Sequence, residues 1–384
     1  MEQLFPGALI RRERLRRSWS QEGLCSGICA VSYLSKIEQG KAEASPEILR
    51  LLFARLELPW HDDEAFLQRA GELTERCYEA IFCCDEPALD GLRKELAAAA
   101  ERMTDSPCAL DAAILQGFFS RQPIGEEMEP FLDLRQLALQ RLLQSRDEEA
   151  MRLYPCAYVS LMAGIGAYEQ GGSDAAALQY LRRACEMAAE EGQVRIMLLA
   201  RLYMGNCYCN RVDLKNMDAQ YRVARRLAQA LGDEETLQII RYNTASAQLE
   251  AGRCGEAYRY FASAEQPSLM DLHKLAICCE KLGRREEALD ALNRADAMET
   301  DYPDLPLARQ MCSLVRFRLE HADYFRSPEY GQTLLEVFDQ CRKKLPIGYA
   351  SFHLPWVLEW YTASRQYRAA YELLLDFPVK PAIK

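Results

Sequence analysis

Thiols and imidazoles are the groups in this 384-residue chain best suited to chemistry; fifteen cysteines and four histidines carry them. Cys25 and Cys29 stand four apart in the stretch "SQEGLCSGICAVSYLSKIEQGK". A structural zinc site needs four ligands at short, repeated spacing. No Cys-x-x-Cys pair occurs, and His61, His273, His321 and His353 are scattered without a cysteine pair to join. Neither a metal nor a cofactor is expected. Bond-making chemistry is equally poorly provided for. The chain has no Gly-rich phosphate loop, no Gly-x-Ser-x-Gly, no His-Glu-x-x-His, and no kinase or dinucleotide fingerprint. Its carboxylate runs, "GDEETL" and "RREEAL", open helices, where negative charge complements the helix dipole. An enzyme is not expected, and the residue inventory points to binding.

Composition agrees with a water-soluble globular chain, at 49% hydrophobic and 27% charged residues. No apolar run approaches the roughly 20 residues of a membrane-spanning helix. The start "MEQLFPGALIRRER" lacks the pattern of a secretory leader, so a cytoplasmic location without membrane contact is expected. In a reducing compartment, cysteines at apolar helical positions such as Cys185, Cys207, Cys278 and Cys312 act as small buried hydrophobes. The net charge of −10 is unevenly placed. Residues 1–60 hold nine Lys/Arg against seven Asp/Glu, a balance of +2, which leaves −12 for the rest. A basic end on an acidic body is the charge pattern of a nucleic-acid-binding module.

The elements that position this basic end are read from apolar periodicity. Leu4/Phe5, Ala8/Leu9, Arg12 and Leu15/Arg16 give a first helix with arginines outward, broken at Trp19-Ser20. Ser20 caps a short second helix from Gln21 to about Ser26, with Leu24 and Cys25 inward, and Gly27 ends it. A third helix spans about Ala30 to Gln39, with Val31, Leu34 and Ile37 as its apolar stripe. Gly40 stops it. Ser45-Pro46 opens a fourth helix that buries Ile48, Leu49, Leu52, Phe53 and Leu56. Two short helices joined by a glycine turn and flanked by supports describe a helix-turn-helix.

These residues resemble the Cro-type (XRE) helix-turn-helix of phage-repressor-like regulators. The resemblance is nearest to the peptide-pheromone-responsive Rgg/PlcR/NprR-type regulators of Firmicutes. It is carried by Ser20-Gln21-Glu22, Gly27-Ile28-Cys29, Ser32-Tyr33-Leu34-Ser35-Lys36-Ile37-Glu38, Gly40-Lys41 and Ser45-Pro46. Gly23 inside the second helix and the longer "KAEASPE" loop depart from the pattern. The resemblance implies that the third helix enters the major groove of double-stranded operator DNA. Ala30, Ser32, Tyr33 and Lys36 would then face the bases, with Gln21 at the groove edge. Ser32 can exchange hydrogen bonds with base edges and Tyr33 can meet a thymine methyl. Arg17, Lys36 and Lys41 suit phosphate contacts, which position without reading sequence.

From His61 onward helical spacing continues and no β alternation is sustained, so the whole fold is expected to be all-α. Four segments repeat a tetratricopeptide-like pattern. They carry Ile165, Tyr168, Ala177, Leu181 and Ala184; Gly205, Tyr208, Met217, Tyr221 and Ala224; Ala245, Gln248, Ala257, Phe261 and Ala264; and Ala276, Cys279, Ala288, Leu292 and Ala295. The anchors Ala177, Met217, Ala257 and Ala288 step by 40, 40 and 31, so two units should have extended helices or longer turns. A last unit carries Ala370 and Leu374, with degenerate units about 63–150 and 300–345. The expected domains are a helix-turn-helix at 1–60, a linker helix at 61–75, and a tetratricopeptide-like sensor and dimerisation domain at 76–384.

Stacked helix pairs form a concave groove, and the family resemblance implies that a short signalling peptide occupies it. Asn206 and Asn210 lie i, i+4 on one helix face, so both amides can address one peptide backbone. Tyr242 and Asn243 belong to the next repeat, and His273 occupies the repeat position of Tyr242. Arg201 and Arg241, 40 residues apart at a shared position, could hold a carboxylate. The expectation is a homodimeric transcription regulator whose groove peptide modulates DNA binding. The alternatives are a scaffold whose groove recruits a protein partner, and a constitutive repressor without a peptide.

Overall fold

A computed structural model describes residues 5–169, 174–299, 305–345 and 347–377, and every regular element among them is helical. Leu4, expected on the first helix, lies outside the described residues. Cα packing divides the chain into two compact units, Met1–Ala163 and Gly164–Lys384.

The first unit opens with α1 (Phe5–Arg16), α2 (Gln21–Cys25), α3 (Val31–Glu38) and α4 (Pro46–Arg55). Local chemistry sets each boundary. Ser20 Oγ accepts from the Gly23 amide at 2.9 Å and caps α2. Gly27 ends the turn at φ 74°, a backbone state that other residues enter only with strain. Ser45 caps α4 through the Ile48 amide, with Pro46 at the first helical position. Gly7 lets α1 lie against α3, since a methyl there would fall onto the Ile37 carbonyl. Leu9, Ile10, Leu24, Cys25, Leu34, Ile37, Leu52, Phe53 and Leu56 form the core of this head. The unit continues through α5 (Glu64–Phe82), α6 (Glu86–Thr104), α7 (Ala109–Ser120), α8 (Leu134–Leu143) and α9 (Asp147–Leu153). Ala109 and Leu110 of α7 join the head's core, and Trp60 stacks on Phe53 at 4.1 Å.

One expectation is corrected here. Val31 is 42% exposed, so the buried stripe of α3 is Leu34 and Ile37 alone, joined by the charged Glu38. Val31 is the first residue of α3, where the helix end projects past the core that α1, α2 and α4 supply.

The boundary between the units falls within α10 (Ala157–Glu169). The second unit adds α11 (Asp174–Glu191), α12 (Val194–Asn210), α13 (Leu214–Leu231), α14 (Glu234–Glu250) and α15 (Cys254–Ala262). It continues with α16 (Leu269–Lys281), α17 (Arg285–Ala297), α18 (Leu305–Glu320), α19 (Pro328–Lys344), α20 (Ile347–Ala363) and α21 (Tyr367–Asp376). From α11 to α21 successive helices pair in a tetratricopeptide-like array, each packing on its neighbour in sequence. The anchors Ala177, Met217, Ala257 and Ala288 are all buried. Their unequal steps follow from helix length: α11 to α14 run 17 or 18 residues each, while α15 and α16 have 9 and 13. Small residues allow close crossings, as where Gly205 on α12 faces the Tyr221 ring on α13. Ala264, expected on the second helix of its repeat, instead lies in the loop after α15, which stops at Ala262. Helix α20 returns to pack on α12.

Candidate functional site

Two constellations stand out, one in each unit. In the head, a buried charged pair sets the angle of α3. The Arg14 guanidinium binds Glu38 through Nε–Oε1 at 2.6 Å and Nη2–Oε2 at 2.8 Å. Arg14 also donates to the Trp19 carbonyl at 2.8 Å, and Gln21 Nε2 donates to Glu38 Oε2 at 2.8 Å. The end of α1, the start of α2 and the end of α3 are thereby tied at one point. The hydrogen bond to Glu38 raises the Arg14 pKa, against the opposing effect of burial. Arg55 of α4 donates to the Leu24 carbonyl at 2.9 Å and to the Ser26 carbonyl, satisfying the orphan acceptors at the end of α2.

This frame leaves one face of α3 open. Ala30, Val31, Ser32, Lys36 and Gln39 are exposed, and Ser32 and Lys36 stand one turn apart. Tyr33 is half-buried, its hydroxyl donating to the Glu43 carbonyl at 2.7 Å, so its ring is fastened to the "KAEASPE" loop. Lys41 is exposed in that loop. Arg17 is half-buried beside Trp19, with its guanidinium 5.9 Å from the ring. Gln21 is held in the Arg14–Glu38 knot. Cys25 is buried and Cys29 half-buried, and burial raises the Cys29 thiol.

Residues 10–62 match the helix-turn-helix family model. The head is therefore an XRE-type DNA-binding module, and the protein carries the equipment of a transcription regulator. A helix-turn-helix is a regulatory module without catalytic chemistry. No curated protein and no solved structure matches the chain. Among the described residues no helix is long and apolar enough to cross a membrane, and no group of three His, Cys, Asp or Glu could hold a metal ion.

The second constellation is a cavity of about 1050 Å³ inside the repeat unit. Residues of α10, α12, α14, α15, α16 and α20 line it, together with the loop after α15. Asn206, Asn210, Arg241, Tyr242 and Asn243 all line it. Asn206 and Asn243 are cross-linked: Asn243 Nδ2 donates to Asn206 Oδ1 at 3.1 Å, and the buried Tyr221 hydroxyl donates to the same oxygen at 2.7 Å. Asn210 differs, its side-chain nitrogen being buried with only the Tyr168 hydroxyl beside it. Gly348 of α20 makes room for the Asn210 carbonyl oxygen.

Arg201 and His273 do not line the cavity. Arg201 donates to Gln220 at 2.8 Å. His273 is fully buried against Phe352 and His353 of α20, and burial holds its pKa well below the usual imidazole range.

Sequence reading passed over the two residues at the floor of the cavity. Lys274 is only 5% exposed, with Nζ 2.9 Å from the centre of the Phe352 ring. Burial lowers its pKa to about 8, partly offset by Glu250. Burial likewise raises Glu250 to about 7, partly offset by Lys274. A faint signal existed in "LMDLHKLAICC": a lysine inside a largely apolar helical run is paired, functional or both.

Proposed function

We propose that this protein is a cytoplasmic, homodimeric, sequence-specific transcription regulator whose repeat unit binds a short signalling peptide that alters DNA binding. The carrying observation is the amide-lined cavity in a chain that also bears a helix-turn-helix. Asn206, Asn210 and Asn243 supply peptide-pairing groups from two consecutive repeats, and Tyr242 and Arg241 add an aromatic wall and a cation. The tetratricopeptide resemblance and the likeness to peptide-responsive regulators support the same reading. In the head, the open face of α3 supports base contacts from Ala30, Ser32 and Lys36, with Tyr33 at its edge. Arg17, Lys41 and Gln21 are assigned to the backbone and the groove margin.

A dimer would bring two heads to two half-sites, and Tyr367, Tyr371 and Leu375 support it, being 61%, 63% and 69% exposed along α21. Peptide shifts the equilibrium between two head arrangements only by its unequal affinity for them. The test is fluorescence anisotropy of the full chain on genomic fragments, with and without peptides extracted from the source cells. Salt-dependent binding that changes with peptide is the expected result. Binding that no peptide alters would defeat the peptide reading and leave a constitutive regulator.

A further inference from the structure

The polar groups on the inner wall of the cavity are unequal in one respect. Asn206 and Asn243 are hydrogen-bonded to each other, but four others face the space with unmet hydrogen-bonding capacity. Ser246 Oγ and Asp271 Oδ1 are buried without partners, and Asn210 Nδ2, buried as well, has only the Tyr168 hydroxyl beside it. Lys274, on α16, holds its ammonium over the Phe352 face, and no ion pair joins it to Glu250 on α14 although both line the same cavity. Three of these groups (Lys274, Asn210 and Ser246) can donate hydrogen bonds, which is the donor set that a carboxylate requires. Glu169, Glu265 and Asp271 make the lining acidic, and Arg241 and Lys274 are its basic residues among the described ones.

We infer that the floor of the cavity is a carboxylate subsite in which Lys274 receives the C-terminal carboxylate of the bound peptide and Glu250 takes up a proton as it arrives. This rests on the peptide reading above and places the carboxylate anchor at Lys274 in place of the Arg201 and Arg241 pair. The acidic remainder of the lining suits the amino end of the same peptide, so the ligand enters carboxylate first.

The proton follows from charge counting in a space of low dielectric. Without ligand, Glu250 and Lys274 balance each other across the cavity. A carboxylate brought to Lys274 leaves the half-buried Glu250 as an unbalanced anion in the cavity wall, which is costly unless it is neutralised. The other groups around the pair cannot serve. Cys209 on α12 and Cys278 on α16 have thiols pushed up to about 12 by burial. Cys341 on α19 also faces Lys274. His273 is held neutral by burial, and His353 is lowered to about 4 for the same reason. Glu250 and Lys274 therefore dominate the titration between pH 6 and 9, and both change in one direction. A ligand carboxylate raises the proton affinity of each, so the complex holds more protons than the free protein. Affinity is full below about pH 7 and falls as pH rises, by up to tenfold per unit for each proton taken up.

The experiment uses the full chain and a pool of random synthetic hexapeptides lacking Asp and Glu, made once with free C-termini and once amidated. Peptides retained through rapid gel filtration are counted by mass spectrometry at pH 6.5 and 8.5. The expected result is at least tenfold enrichment of free-acid over amidated peptides at pH 6.5, with at least a threefold loss of the free-acid peptides at pH 8.5. Lys274→Met erases the preference, while Glu250→Gln keeps it and reduces the pH response to the share that Lys274 alone carries. Equal retention of both pools by the native protein overturns the subsite and leaves the peptide reading standing. Retention of neither pool overturns the peptide reading and the subsite with it. The wild-type comparison alone decides, so poor folding of either variant does not spare the inference.

Discussion

At the scale of single residues, Arg14 and Glu38 show how much geometry rests on one buried pair. A guanidinium and a carboxylate that leave water together gain little net stability, but removing one partner strands the other. Arg14→Met should therefore cost about 3–5 kcal/mol. The double variant Arg14→Met/Glu38→Met should recover most of that loss. Urea unfolding followed by Trp19 and Trp60 fluorescence measures both, and equal losses in the two variants would refute the stranded-charge account. On the open face of α3, Lys36 and Ser32 should separate cleanly. Lys36→Ala should weaken DNA binding across all sequences and lower the slope of log affinity against log salt by about 1. Ser32→Ala should instead relax selection at one base pair by about 1–3 kcal/mol, as measured by competition with single-substituted operators. Sequence reading reached these two positions through the family resemblance, which implies that the outward side of the third helix faces the bases. It could not find the Arg14–Glu38 pair, because two residues 24 apart meet only once α1 and α3 have packed.

At the scale of elements, helix starts and stops were legible where a local group enforces them: Ser20 and Gly27 around α2, and Ser45 and Pro46 at α4. Val31 was misjudged because periodicity says which side of a helix is apolar and not how far the core beneath it reaches. The small residue at the helix crossing was legible too, and it carries a prediction. A methyl at Gly205 would enter the Tyr221 ring, and that ring orients Asn206 in the cavity wall. Gly205→Ala should destabilise the repeat unit by about 1–3 kcal/mol through overpacking. It should also reduce peptide retention in the pool experiment, whereas a substitution at the exposed Gly255 should do neither.

At the scale of the whole molecule, buried imidazoles give the repeat unit an acid limit. His353 has a pKa lowered to about 4 by burial, eased by its Nδ1–H bond to the Tyr349 carbonyl at 2.8 Å. An unfolded chain protonates this histidine below about pH 6.5, and the folded chain does not until about pH 4. The unfolded state thus binds the extra proton across that window, and stability falls as pH drops through it, by about 3 kcal/mol for His353 alone. His273, shifted in the same direction, adds to the loss. Denaturant midpoints between pH 7 and 4 measure this, and His353→Gln should flatten the curve if it folds. Neither histidine's role was legible in sequence. Both sit at helical positions that look half-exposed until α20 returns across α16.

The unequal repeat steps have a last consequence. Because α15 ends at Ala262, the segment Ser263–Ser268 spans a gap that a longer helix would fill, and it forms part of the cavity wall. Lengthening or trimming such a loop changes closure entropy only slowly with residue number. Insertions and deletions there can resize the chamber while the anchor alanines stay in place. Descendants of this sequence thus have a route to new ligands that leaves the architecture of the repeats intact.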